Sequence, residues 1–201
     1  MQYALIHRYL QELWKTCQGQ SDGVHIYDKD KSINPSKKME VILNPVDLSI
    51  NDKKVLSKLY SEMNSITTDF LYQDMLELNS QIQFFLEHIF ENTVYSLSAS
   101  HELNLDGLFK LYDVKLLENE EQSFLEYIIE YLRLRTQILS IQVFAFVGLK
   151  NYFTNEEMES LYEFVKLQKI HLLLIEGVQR IKLKSEKIYI LDSDLCSLII
   201  E

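Results

Sequence analysis

Val143-Phe144-Ala145-Phe146-Val147, Thr154-Asn155-Glu156-Glu157 and His171-Leu172-Leu173-Leu174-Ile175 decide the fold. The first is an unbroken apolar run, as expected of a central strand buried on both faces. The second is a capping box, with a threonine ahead of a glutamate three residues on, and it opens a helix with Met158, Leu161, Tyr162, Phe164 and Val165 on one stripe. The third reads as another buried strand. Strand, capped helix and strand form a βαβ crossover with the two strands parallel. Further strands are expected at Lys187 to Leu191 and Cys196 to Ile200.

Upstream, Tyr3, Leu5, Ile6, Tyr9, Leu10, Leu13 and Trp14 recur at helical spacing, so the chain opens on an amphipathic helix ending near Gly19. Val24 to Tyr27 and Met39 to Leu43 read as two short strands joined by a loop with Asn34-Pro35. Asn51-Asp52 suits the N-cap of a helix through Leu56, Leu59, Tyr60 and Met63. From Ile66 to Ser96 neither Gly nor Pro occurs, and the apolar spacing predicts one long helix. A short helix from Leu103 to Tyr112 and a longer one from about Glu120 to Leu139 complete a helical middle. The expected fold is α/β: a head domain from residues 1–63 and 140–201 with a mostly parallel sheet, and an inserted helical leg at 64–139.

Composition agrees. Among 201 residues only 5 are Gly and 2 Pro, too little turn chemistry for an all-β barrel, while 47% hydrophobic residues suffice for a core. The longest apolar run, Ile138 to Leu149, is broken by Ser140 and Gln142 and falls short of the roughly 20 residues of a membrane span. No basic, then apolar, secretory leader stands at the start. Cys17 and Cys196 are far apart and lack metal-ligand spacing, so both read as reduced thiols of a cytoplasmic protein.

The net charge of −10, taken whole, opposes a nucleic-acid partner, but it is unevenly spread. Asp69 to Glu130 holds thirteen Asp and Glu against Lys110 and Lys115, a net of −11 that leaves +1 for all the rest. Lysines gather between Lys29 and Lys58, notably Lys37, Lys38, Lys53, Lys54 and Lys58, and basic residues gather again between Lys166 and Lys187. By charge alone, dispersed lysines are more often a solvated surface than a binding face.

Motifs of catalysis are missing. No G-x-x-x-x-G-K-[ST], G-x-G-x-x-G or G-x-S-x-G occurs, and His101-Glu102 meets Leu105 where a zinc helix needs its second histidine. Glu102, Asn104 and Asp106 offer hard oxygen ligands beside Gly107, in the manner of a calcium loop. As residues alone, Asn104 or Asp106 reads more readily as the N-cap of the following helix.

The order Val143 to Val147, Tyr152-Phe153-Thr154-Asn155-Glu156-Glu157, Leu172 to Glu176 and Tyr189-Ile190-Leu191-Asp192 resembles the C-terminal half of the small ring-forming spacer-acquisition protein of type II-A CRISPR systems. Upstream, Tyr27-Asp28, Val41 to Leu43, Asp47-Leu48-Ser49-Ile50-Asn51 before Leu56 to Tyr60, and His101-Glu102-Leu103 before Leu108-Phe109-Lys110 are similar to the same family in the same order. The resemblance implies a non-enzymatic protein with a degenerate nucleoside-triphosphatase-like head and a helical leg. It implies a homotetrameric ring, stabilised by calcium, whose basic inner face encloses a double-stranded DNA end. Its partners would be the adaptation integrase and the RNA-guided nuclease, with no membrane involved.

On that reading Lys37, Lys38, Lys53, Lys54 and Lys58 are expected near the duplex, an assignment made from local basicity, and Glu102, Asn104 and Asp106 become candidate calcium ligands. Asn104 stands where the family would place a carboxylate, and a neutral ligand weakens calcium. The family opens with a further β-rich segment, whereas this sequence opens at the first helix. A protein-interaction scaffold and a divergent nucleotide-binding phosphotransferase are the alternatives.

Overall fold

A computed structural model describes residues 2–191 and 197–200. Two compact units share the chain: residues 1–50 with 118–201, and residues 51–117.

The first unit opens with α1 (Gln2–Cys17), which buries Leu13 and Cys17 against Met39 and Ala145. Gly19, at φ +71°, ends it in the left-handed conformation that glycine adopts without steric cost. A hairpin of β1 (Ile26–Asp28) and β2 (Lys31–Ile33) follows, turning through Lys29 at φ +54°. One turn of helix, α2 (Pro35–Lys38), is capped by Asn34, whose side chain accepts from Ser36 N at 3.0 Å. It leads directly into β3 (Met39–Ile42).

β3, β4 (Val143–Val147) and β5 (His171–Ile175) form a parallel sheet with β4 in the centre. Ala145 stands opposite Val41 on one side and Leu173 on the other. Phe144, Ala145 and Phe146 are fully buried, as their unbroken apolar run requires. Between β4 and β5 runs α7 (Asn155–Gln168), opened by the expected capping box: Thr154 Oγ1 accepts from Glu157 N, and the Glu157 carboxylate accepts from Thr154 N. Its stripe Met158, Leu161 and Val165 is buried. A separate antiparallel pair, β6 (Ile188–Leu191) and β7 (Ser197–Ile200), lies near the chain end. Cys196 lies outside the described residues.

Before β4 comes α6 (Phe124–Leu139), started by a capping box of Ser123 and Glu126. Tyr127 Oη donates to Leu48 O at 2.7 Å, and Tyr131 Oη donates to Glu40 on β3 at 2.9 Å. Arg135, almost wholly buried, lies 3.5 Å from Glu40 with its guanidinium 4.7 Å over the Tyr131 ring. Burial and the Glu40 carboxylate push the Tyr131 hydroxyl far above its ordinary pKa of 10.

The second unit holds α3 (Lys53–Phe70), α4 (Tyr72–Glu91) and α5 (Leu105–Leu111). Asp52 caps α3 as expected, accepting from Lys54 N at 2.8 Å and Val55 N at 3.0 Å. Tyr60 Oη donates to Val114 O at 2.9 Å and its ring packs 5.4 Å from Phe109.

Three expectations need revision. The long helix predicted over 66–96 breaks at Leu71, whose φ of −121° is not helical. No Gly or Pro marks the break; instead Ser65, Thr67 and Thr68 each donate to the carbonyl four residues back, which loosens and bends a helix. The strand around Val24 to Tyr27 pairs with a second short strand hidden in the presumed loop, and not with β3. β5 is not fully buried: His171 and Leu173, two residues apart and so on one face of the sheet, are exposed, while Leu172 and Leu174 on the other face are half-buried. The two units are each held by contacts of their own. Tyr127, Tyr131 and Arg135 tie α6 to Leu48, Glu40 and Ser49, while Tyr60 ties α3 to Val114 and Phe109.

Candidate nucleic-acid interface

The five lysines divide between the units. Lys37 and Lys38 stand in the first unit at the end of α2. Lys37 is exposed; Lys38 is half-buried and donates to Ser140 O at 3.1 Å, satisfying a carbonyl that α6 leaves open where Ser140 turns left-handed at φ +57°. Lys53, Lys54 and Lys58 are exposed on α3 of the second unit. Lys53 and Lys54 occupy its first turn, where the positive end of the helix dipole adds to their charge. Lys54 and Lys58, four residues apart, share a face. Lys58 lies 3.9 Å from Glu62, a half-exposed pair of little energetic weight. Lys29 and Lys31 add two exposed ammonium groups on the β1–β2 turn. The Lys29-Asp30-Lys31 spacing was visible in the sequence, but the hairpin was not.

Glu102, Asn104 and Asp106 lie within five residues of one another in the second unit, and Asn104 and Asp106 each offer one side-chain oxygen to a donor. Asn104 Oδ1 caps α5 by accepting from Gly107 N at 2.8 Å, as the simpler reading anticipates. Asp106 Oδ1 accepts from Asn64 Nδ2 at 2.7 Å. Lys110 lines the same open depression as Asn64, Asn104 and Asp106. Calcium takes six to eight oxygen ligands. One exposed glutamate and one aspartate beside an amide donor and an ammonium do not fit that demand, and among the described residues no three His, Cys, Asp or Glu side chains converge.

At the C-terminal edge of the parallel sheet, where open α/β folds bind ligands, the chain supplies its own anions. Gly148 follows β4 at φ +68°, and its N–H goes to Ile175 O at 2.9 Å. Lys150 N donates to the Glu176 carboxylate at 3.1 Å, and Lys150 Nζ pairs with Glu186, which also accepts from Tyr162 Oη and from Leu183 N. Burial alone would raise the Glu186 pKa; the donors from Lys150, Tyr162 and Leu183 outweigh it and hold the carboxyl below its ordinary value. The ammonium and the backbone N–H of Lys150, both suited to a phosphate, are thus taken by carboxylates. Sequence gave no sign of this pairing, since Glu176 and Glu186 lie beyond the whole of α7 and β5 from Lys150.

The family model described as CRISPR-associated protein (Cas_Csn2) matches residues 18–195, nearly the whole chain. The protein belongs to the Cas_Csn2 family. This is the spacer-acquisition family of type II-A CRISPR systems, so the chain has a role in acquiring spacers. The match runs through both units and ends beyond β6, and it covers Lys37, Lys38, Lys53, Lys54 and Lys58 as well as Glu102, Asn104 and Asp106. No helix among the described residues of this Cas_Csn2 protein is long and apolar enough to cross a membrane.

Proposed function

We propose that the protein acts in spacer acquisition by binding the ends of double-stranded DNA, without reading bases and without enzymatic chemistry, as a ring of four copies. The observation that carries the reading is the set of exposed lysines at Lys37, Lys53, Lys54 and Lys58, on a chain otherwise acidic, within a spacer-acquisition family. Phosphate contacts from lysine give affinity without sequence preference, which is what capture of arbitrary invading DNA requires. An acidic exterior repels the duplex from other surfaces. The first unit serves as a head with a degenerate nucleoside-triphosphatase-like sheet, and the second as a helical leg. The adaptation integrase and the RNA-guided nuclease are its proposed partners, in the cytoplasm.

A divergent phosphotransferase is disfavoured by Glu176 and Glu186, which occupy the lysine and backbone donors a phosphate would use. A scaffold that merely docks proteins differs in what its lysines do. Simultaneous reversal of Lys37, Lys38, Lys53 and Lys54 to Glu abolishes duplex binding and spacer acquisition if the DNA reading holds. Acquisition undiminished by the same changes would establish the scaffold instead. Light scattering on the eluted wild-type protein gives four times the chain mass of 23.8 kDa; a monomer at every concentration would refute the ring.

A further inference from the structure

The stretch from Ser100 to Asp106 is rich in oxygen acceptors, and five of them already have a donor. Gln83 Nε2 donates to Ser100 O at 2.7 Å and Asn79 Nδ2 to His101 O at 2.9 Å, both from α4. Ser100 Oγ donates to Glu102 O at 3.2 Å. Gly107 N donates to Asn104 Oδ1 at 2.8 Å, and Asn64 Nδ2, from α3, donates to Asp106 Oδ1 at 2.7 Å.

We propose that side-chain amides, and not a divalent cation, close this loop onto α3 and α4. Asn64, Asn79 and Gln83 do for the loop oxygens what a bound cation does elsewhere: they present positive charge density to carbonyl and carboxylate groups and fix their directions. Each amide hydrogen takes one of the two lone pairs of the oxygen it reaches and brings positive charge toward the space an ion would occupy, which disfavours a cation there. Lys110, on the wall of the same depression, adds a full positive charge against an ion. The orientation of Asn64 follows from its partner: with the amide turned over, its oxygen would face the Asp106 carboxylate. The second unit is thereby held by neutral donors whose strength does not depend on the calcium level.

Thermal unfolding of the full-length protein in excess chelator and in millimolar calcium chloride tests this. The expected result is the same midpoint in both, and the same lowered midpoint in both for Asn64→Ala. A calcium ion held here at a hundred times its dissociation constant would raise the midpoint by roughly 5–10 °C. Such a rise in the wild type that disappears in Asp106→Asn would overturn the proposal. A rise that survives in Asp106→Asn places the ion elsewhere and supports it. The wild-type comparison stands even if Asn64→Ala fails to fold. Asn64→Asp adds a positive control: it sets two carboxylates face to face, so the variant is expected to lose stability in chelator and regain it in calcium.

Discussion

Lys150 and Glu186 form an ion pair at the C-terminal edge of the parallel sheet, each side chain about nine-tenths withdrawn from water. The Tyr162 hydroxyl and the Leu183 amide complete the carboxylate's partners. Removing Lys150 leaves the Glu186 carboxylate charged and poorly solvated, with only the neutral donors of Tyr162 and Leu183. Lys150→Met is therefore expected to cost roughly 2–3 kcal/mol in chemical denaturation, toward the low end for a broken buried pair because some water reaches both groups. Replacing both residues by apolar ones of similar size recovers part of that loss, since Tyr162 Oη and Leu183 N then lack their acceptor.

The same pair makes stability depend on pH in a defined direction. Glu186 has its folded pKa below the ordinary 4.5, so the unfolded chain takes up its proton first as pH falls. Its contribution is complete above that ordinary value and is lost on descending through the folded pKa. Glu186→Gln is expected to lower stability at neutral pH and to flatten the acid limb of the stability curve. A variant with an unchanged acid limb would show that Glu186 does not titrate in this range.

Lys37 and Lys38 are neighbours in sequence with different duties. Lys38→Ala loses the hydrogen bond to Ser140 O and is expected to cost up to about 1 kcal/mol of stability, whereas Lys37→Ala leaves stability within measurement error. In duplex binding each lysine that contacts a phosphate lowers the slope of log affinity against log salt by about 0.9 when removed. Lys37→Ala, Lys53→Ala and Lys54→Ala are each expected to do so, with no change in preference among base sequences.

Asp52 positions two of those lysines by starting α3. Asp52→Ala removes the acceptor of Lys54 N and Val55 N and is expected to cost about 1 kcal/mol, while Asp52→Asn, which keeps the acceptor, costs only a fraction of that. Equal losses in the two variants would mean that the carboxylate charge, and not the cap geometry, stabilises the helix.

Sequence revealed the sheet where local pattern and tertiary environment coincide. Phe144 to Phe146 read as central because an unbroken apolar run has no solvent-compatible face, and Thr154 and Glu157 announced α7 because a capping box is local. Asn104 likewise read as a cap. What stayed hidden depends on partners distant in the chain. Nothing near His171 says that one edge of β5 is open among the described residues, and nothing near Tyr127 says that it meets Leu48. The break at Leu71 eluded a search for Gly and Pro because hydroxyl back-bonding leaves the apolar spacing intact. The oxygen-rich run at 100–106 looks like a cation loop until Asn64, Asn79 and Gln83, far along the chain, are seen to donate into it.

The central claim, that a ring of these chains takes in a DNA end, is tested most directly by topology. Equal masses of one plasmid, linearised or covalently closed, compete for the protein against a short labelled duplex at low and at moderate salt. The account predicts that the linear form competes and the closed circle does not, with the linear form's affinity falling steeply as salt rises. Equal competition by the two forms would contradict entry through an end, and competition by neither would contradict DNA binding itself.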